Sequence, residues 1–279
     1  MRARIQSLLA QLQGAIDAVD DESQAWRAAN RGRFDFGLAG TIILACICVA
    51  TIEYFGGSSD FKYLKPIVGL FTDAPDSALS TVFRVGKRAE LFRLMYWAGS
   101  TFAFYFLLPA IFLKLTKRSL RAHGLSFAGT IKHAWVYVAM YLVVLPAVIS
   151  VAFTESFQKT YPFYDNAYMS LSDLLMWEAI YFIQFFSLEF FYRGFLIQTL
   201  RQRFGFYAIF VSVIPYCMIH FGKPYPETIG AIIAGLALGT LAMFTRNIWL
   251  GAAVHISVAI TMDSLSLLAQ GKFPTNWLP

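Results

Sequence analysis

Apolar residues run with little interruption for stretches that match a bilayer. Seven such runs can be marked, at 36–54, 94–113, 134–153, 174–200, 207–221, 228–244 and 248–268. A helix needs about 20 mostly apolar residues to cross the hydrocarbon core. The pattern therefore predicts an all-α, polytopic transmembrane helical bundle of about seven spans. Very short connectors join the last three runs, as in a tight antiparallel bundle. No internal repeat interrupts the pattern, so residues 34–270 read as one transmembrane bundle, with its candidate chemistry at 174–268. Residues 1–33 form an N-terminal extension. They carry Asp17, Asp20, Asp21 and Glu22 and no early apolar core, which excludes a cleavable signal peptide. Ile5, Leu8, Leu9, Leu12 and Ile16 recur at helical spacing. That fits an amphipathic helix on the cytoplasmic surface, with a solvated tail as the alternative.

Composition agrees with lipid as the solvent. The 279 residues have a mean hydropathy of +0.55, and only 14% are charged, against roughly 25% in soluble domains. The net charge of +6 does not indicate nucleic acid, because the Lys and Arg residues sit at the ends of apolar runs. Arg2, Arg4, Arg27, Arg31 and Arg33 precede the first run, Lys114, Lys117, Arg118, Arg121 and Lys132 follow the second, Arg201 and Arg203 follow the fourth, and Arg246 follows the sixth. This alternation predicts a cytoplasmic N-terminus and suits a bacterial inner membrane. One loop disagrees. Residues 55–93 should be external, yet they hold Lys62, Lys65, Arg84, Lys87, Arg88 and Arg93. An eighth span or re-entrant piece near 64–71 would account for part of this. Cys46, Cys48 and Cys217 lie inside apolar runs and read as small buried hydrophobes.

An ionisable side chain in mid-span costs about 2.5–3.5 kcal/mol on insertion scales and marks a candidate functional site. Glu189, Arg193, His220 and His255 stand out on this criterion. Glu189 and Arg193 share a helix face at i and i+4 and can pair. At 1.5 Å per residue both histidines and the Glu189–Arg193 pair lie within roughly 6 Å of mid-span depth, so convergence is expected. Glu227 follows His220 across a segment broken by Gly222, Pro224 and Pro226, which could fold Glu227 and Lys223 back toward the same place. His123 and His133 flank the basic loop and read as solvated. A Glu in an apolar cavity suits general-base work, imidazoles can hold a water or stabilise an oxyanion, and an Arg can fix the carboxylate. Glu189, His220 and His255 could equally bind zinc with one position open. These residues do not choose between the two.

The ordered set resembles the CPBP family of intramembrane endopeptidases, which includes type II CAAX prenyl proteases and bacteriocin-processing relatives. That family's pattern is Glu-Glu-x-x-x-Arg, then Phe-x-x-x-His, then His-x-x-x-Asn/Asp on successive helices. Glu189–Arg193–Gly194 resembles the end of the first motif, Tyr216-x-x-x-His220 the second, and His255 the start of the third. The resemblance implies hydrolysis of a peptide bond in a membrane-bound or lipid-modified protein, and leaves metal dependence open. Two positions depart from the pattern. Leu188 stands where the first Glu would be, and Ala259 where the Asn/Asp would be. Glu189 or Glu227 then supplies the carboxylate, or the chain is a non-cleaving scaffold or immunity-type protein of the same fold. A transporter with a proton relay is a third class, and the inverted repeat that would favour it is not seen.

Overall fold

The computed structural model describes the chain apart from residues 1, 87, 129 and 224 and the side chains of residues 2–5 and 8. Of the residues singled out above, the side chains of Arg2, Arg4, Ile5 and Leu8, together with Lys87 and Pro224, lie outside the described residues. The helices begin with α1 (Arg2–Ala29), α2 (Phe36–Phe55), α3 (Lys65–Val68) and α4 (Pro75–Phe83). Then come α5 (Ala89–Thr101), α6 (Leu108–Leu115), α7 (Thr130–Ala152), α8 (Glu155–Thr160) and α9 (Leu171–Glu189). The chain continues through α10 (Gln198–Phe204), α11 (Ala208–Met218), α12 (Tyr225–Thr245) and α13 (Trp249–Ala269). No strand occurs among the described residues, so the chain is an all-α polytopic membrane protein.

Among the described residues six segments have the length and composition to cross a membrane: Phe36–Phe55, Ala89–Leu115, Thr130–Ala152, Leu171–Met218, Tyr225–Thr245 and Trp249–Ala269. The fourth holds 48 residues, about 72 Å of helix, which is more than two hydrocarbon thicknesses of about 30 Å. It breaks at Gly205, whose φ of +57° and ψ of −135° end α10. The fourth apolar run and all but the last three residues of the fifth therefore lie within this one segment. The eighth span considered near 64–71 is not there. Those residues begin in a 3₁₀ turn, Asp60–Leu64, followed by the four residues of α3, which Gly69 closes. Four residues rise about 6 Å and cross nothing.

The contacts divide the chain into two compact units. The first comprises Met1–Ile47, Pro109–Thr130 and Glu189–Trp249. Its N-terminal helix is anchored by polar groups. Glu22 Oε2 pairs with Arg201 Nη2 at 2.7 Å, and Asp20 Oδ1 accepts from the Phe206 N–H at 2.7 Å. Leu9 and Leu12 of the predicted apolar stripe stay exposed. A Cβ on Gly205 would run into the Asp20 carboxyl, so the glycine that breaks the helix also makes room for the docked acid.

His123 belongs to this unit and corrects the expectation of a solvated residue. It is 7% exposed, with Nδ1 2.7 Å from the Ser119 carbonyl and Nε2 3.4 Å from the Thr199 hydroxyl. Burial lowers its pKa, the Ser119 carbonyl opposes that shift, and the cations Arg118 and Arg246 add to it. The folded protein therefore keeps this imidazole neutral below the ordinary value near 6.5, whereas unfolding exposes it to protonation. The unfolded state binds more protons in that window, so stability falls as pH drops below about 6.5. Thermal unfolding in detergent at pH 7.5 and 5.5 should show this loss, and a His123→Gln variant should show a smaller one. An equal loss in the variant would remove His123 as the cause.

The second unit comprises Cys48–Leu108, Ile131–Leu188 and Leu250–Pro279. Its core packs Leu91, Leu94, Tyr164, Leu174, Trp177, Tyr181, Ala259 and Leu267. On α7, Ile131, Trp135 and Val143 are at least 70% exposed, an apolar outer face that suits lipid. Five of the basic residues of the first loop, which conflicted with the charge rule, are engaged locally. Lys62 lies 3.8 Å from Asp60, Lys65 2.6 Å from Asp76 and Arg88 3.3 Å from Asp173. Arg93 donates to the Phe83 carbonyl, and Arg84 lies over the Phe61 ring.

Candidate active site

Helix α9 runs directly into a wider π turn, Phe190–Ile197, whose eight residues are all buried. Turns of this kind recur at functional sites, because the extra residue per turn re-aims side chains. Here Glu189 Oε1 lies 3.3 Å from Arg193 Nη1, with both side chains 1% exposed. The guanidinium also lies over the Tyr216 ring of α11, 4.1 Å from Cζ to the ring centroid. The Tyr192 ring meets the Tyr216 ring edge-on at 5.1 Å, and its hydroxyl donates to the Pro215 carbonyl at 3.4 Å. Helix α12 closes on this group at Gly235, where a Cβ would sit 3.1 Å from the Tyr216 ring. The buried charge is thus boxed by two tyrosines and closely packed backbone.

His220 lies just past the end of α11, and its ring meets Tyr216 at 4.9 Å. Its Nδ1 is 2.8 Å from the Tyr216 carbonyl oxygen. A carbonyl accepts only, so Nδ1 carries the hydrogen and Nε2 is the basic nitrogen of the neutral ring. The Thr228 hydroxyl donates to the His220 carbonyl at 2.9 Å, which ties the start of α12 to this turn. Glu227, in the first turn of α12, pairs with Lys223 at 2.6 Å. Its charge reaches Tyr216.

The first unit thus gathers Glu189, Arg193 and His220 around Tyr216, with Glu227 in electrostatic range. His255 belongs to the second unit, where its ring stacks on Phe185 at 5.2 Å. The two departures from the family pattern are both buried. Leu188 is 4% exposed, and Ala259 is 4% exposed inside the aromatic core of the second unit. Tyr216 touches both Arg193 and His220, and its one signal in the sequence is its place four residues before His220. Two buried carboxyls were missed outright. Glu178 is 7% exposed and Asp263 is fully buried, with Oδ2 accepting from the Trp177 indole N–H at 2.6 Å. Both lie inside predicted spans, so the criterion that selected Glu189 applied to them as well.

Among the described residues no three His, Cys, Asp or Glu side chains are grouped to hold a metal ion.

No curated protein and no solved structure matches the chain. Residues 170–261, which include Glu189, Arg193, Tyr216, His220, Glu227 and His255, match the model of the Rce1-like family, described as type II CAAX prenyl endopeptidase Rce1-like. Over this segment the chain is similar to the type II CAAX prenyl endopeptidases of the Rce1-like family.

Proposed function

We propose that the chain is an intramembrane endopeptidase that hydrolyses a peptide bond of a membrane-associated or lipid-modified protein, in a bacterial inner membrane with α1 on the cytoplasmic side. The observation that carries this reading is the buried Glu189–Arg193 pair packed against Tyr216 and His220. Arg193 positions Glu189 before the reaction. Glu189 takes one proton from the attacking water, and His220 Nε2 accepts a hydrogen bond from the other and so orients the oxygen. The water oxygen bonds to the carbonyl carbon, and the C–N bond then breaks as Glu189 returns its proton to the leaving nitrogen. His255 is assigned a supporting role from its place in the motif order, and Glu227 from its reach to Tyr216.

A second reading, a non-cleaving scaffold or immunity-type protein, is favoured by the apolar packing of Leu188 and Ala259. The two separate in one assay, with reporter peptides anchored by a prenyl or acyl group in liposomes that contain the purified protein. Glu189→Gln and His220→Ala should each lower cleavage by at least about 10²-fold while eluting like the parent in detergent. If neither variant differs from the parent, or the parent cleaves nothing, the scaffold reading replaces the protease.

A further inference from the structure

The second unit holds a cleft of about 530 Å³ whose walls include Val82, Val85, Phe92, Tyr164, Arg88 and Asp173. Its volume and mostly apolar lining, with a few converging polar groups, are those of small-ligand sites. Tyr164 is fully buried, yet its hydroxyl has no hydrogen-bond partner among the described residues. A buried hydroxyl left unmatched costs roughly 1–3 kcal/mol, so a group able to bond with it would be stabilised in the cleft. Desolvation, with the negative charges of Asp173 and Glu90, raises its pKa to about 12. Tyr164 therefore stays a neutral O–H donor at any physiological pH.

Arg88 is held in a definite pose. Its Nε lies 3.3 Å from Asp173 Oδ1. Asp173 is 2% exposed, and its Oδ2 accepts from the Ser170 hydroxyl at 2.7 Å. The carboxylate is thus occupied on both oxygens and bound to the Nε edge of the guanidinium. Arg88 is still 47% exposed, so the Nη edge can meet an anion, the fork geometry that suits phosphate. Location narrows the ligand further. Arg88 directly precedes the membrane segment that begins at Ala89, and Asp173 lies in the first turn of α9. Their ion pair holds two span ends at one level, the depth of lipid headgroups. The apolar wall is open there: Val82 is 42% exposed, Val85 64% and Phe92 41%. These surfaces suit an acyl chain rather than water.

We infer that this cleft is a phospholipid site, in which a headgroup phosphate meets the Arg88 guanidinium and the Tyr164 hydroxyl while an acyl chain lies along Val82, Val85 and Phe92. It is separate from the Glu189–His220 group and needs no proteolysis.

The test uses the full chain in nanodiscs of a zwitterionic lipid, doped with increasing phosphatidylglycerol, with thermal unfolding as the readout. Phosphatidylglycerol should raise Tm in a saturable way. Tyr164→Phe should weaken the apparent affinity by about tenfold, and Arg88→Gln should abolish the saturable shift. Tyr164→Phe deletes a hydroxyl with no hydrogen-bond partner among the described residues, so it stays informative if Arg88→Gln fails to fold. Inorganic phosphate and oleate, added separately to detergent-solubilised protein, should each fall short of the lipid. A full shift with inorganic phosphate alone would overturn the acyl part of the site. A lipid shift that is absent in the parent, or undiminished in Tyr164→Phe, would overturn the site altogether.

Discussion

Replacing Arg193 with Met while Glu189 remains should cost about 3–5 kcal/mol of stability, the range for removing one partner of a buried ion pair. Both side chains are 1% exposed, so the stranded carboxylate could not turn to water. Glu189→Leu alone should be equally damaging, because it leaves a guanidinium among Tyr192, Tyr216 and the π turn. The double variant Glu189→Leu/Arg193→Met should unfold close to the parent. Apolar side chains of similar size can replace a buried pair at little cost or with a gain. Cleavage should be lost in all three. Thermal unfolding in detergent, run as a double-mutant cycle, gives the coupling directly. A single Arg193→Met variant as stable as the parent would show that the pair is neither buried nor strained by its loss. A double variant that still cleaves would remove Glu189 from the mechanism.

Which parts of this were legible in the sequence follows from what each feature costs. Apolar runs of bilayer length are visible because lipid demands them along the whole segment, so the helices and their order could be read directly. Glu189, Arg193 and His220 were visible because charge and imidazole are expensive where they lie. Tyr216 was not, although it touches both Arg193 and His220. An aromatic residue in an apolar helix costs nothing to insert and looks like packing. The break at Gly205 falls between the fourth and fifth apolar runs, where the hydropathy pattern already separates two spans. In the basic loop, Lys62, Lys65 and Arg88 are paired with Asp60, Asp76 and Asp173, and such pairing depends on tertiary contacts that a count of charges ignores. His123 was misread likewise, because a basic loop suggests water while the Thr199 hydroxyl and Ser119 carbonyl enclose its ring.

Two carboxyls of the second unit should respond in opposite directions when truncated. Asp263 Oδ2 is the acceptor for the Trp177 indole N–H at 2.6 Å, and Trp177 is fully buried in the aromatic core. Asp263→Ala leaves that N–H without an acceptor and should cost about 1–3 kcal/mol. Glu178 has no such bond. Both of its oxygens are buried without a hydrogen-bond partner among the described residues, and the like-signed Asp263 acts on it. Glu178→Leu fills a similar volume with groups that need no partner, so it should stabilise the fold by about 1–3 kcal/mol. The pair is also coupled, because removing Glu178 deletes a repulsion on Asp263. The penalty for Asp263→Ala should therefore be larger in the Glu178→Leu background than in the parent. Thermal unfolding of the four proteins in one detergent measures all of these terms. A Glu178→Leu variant that unfolds earlier than the parent would mean that the carboxyl is matched in the membrane by a cation or water, and that its burial is a requirement of function rather than a tolerated cost.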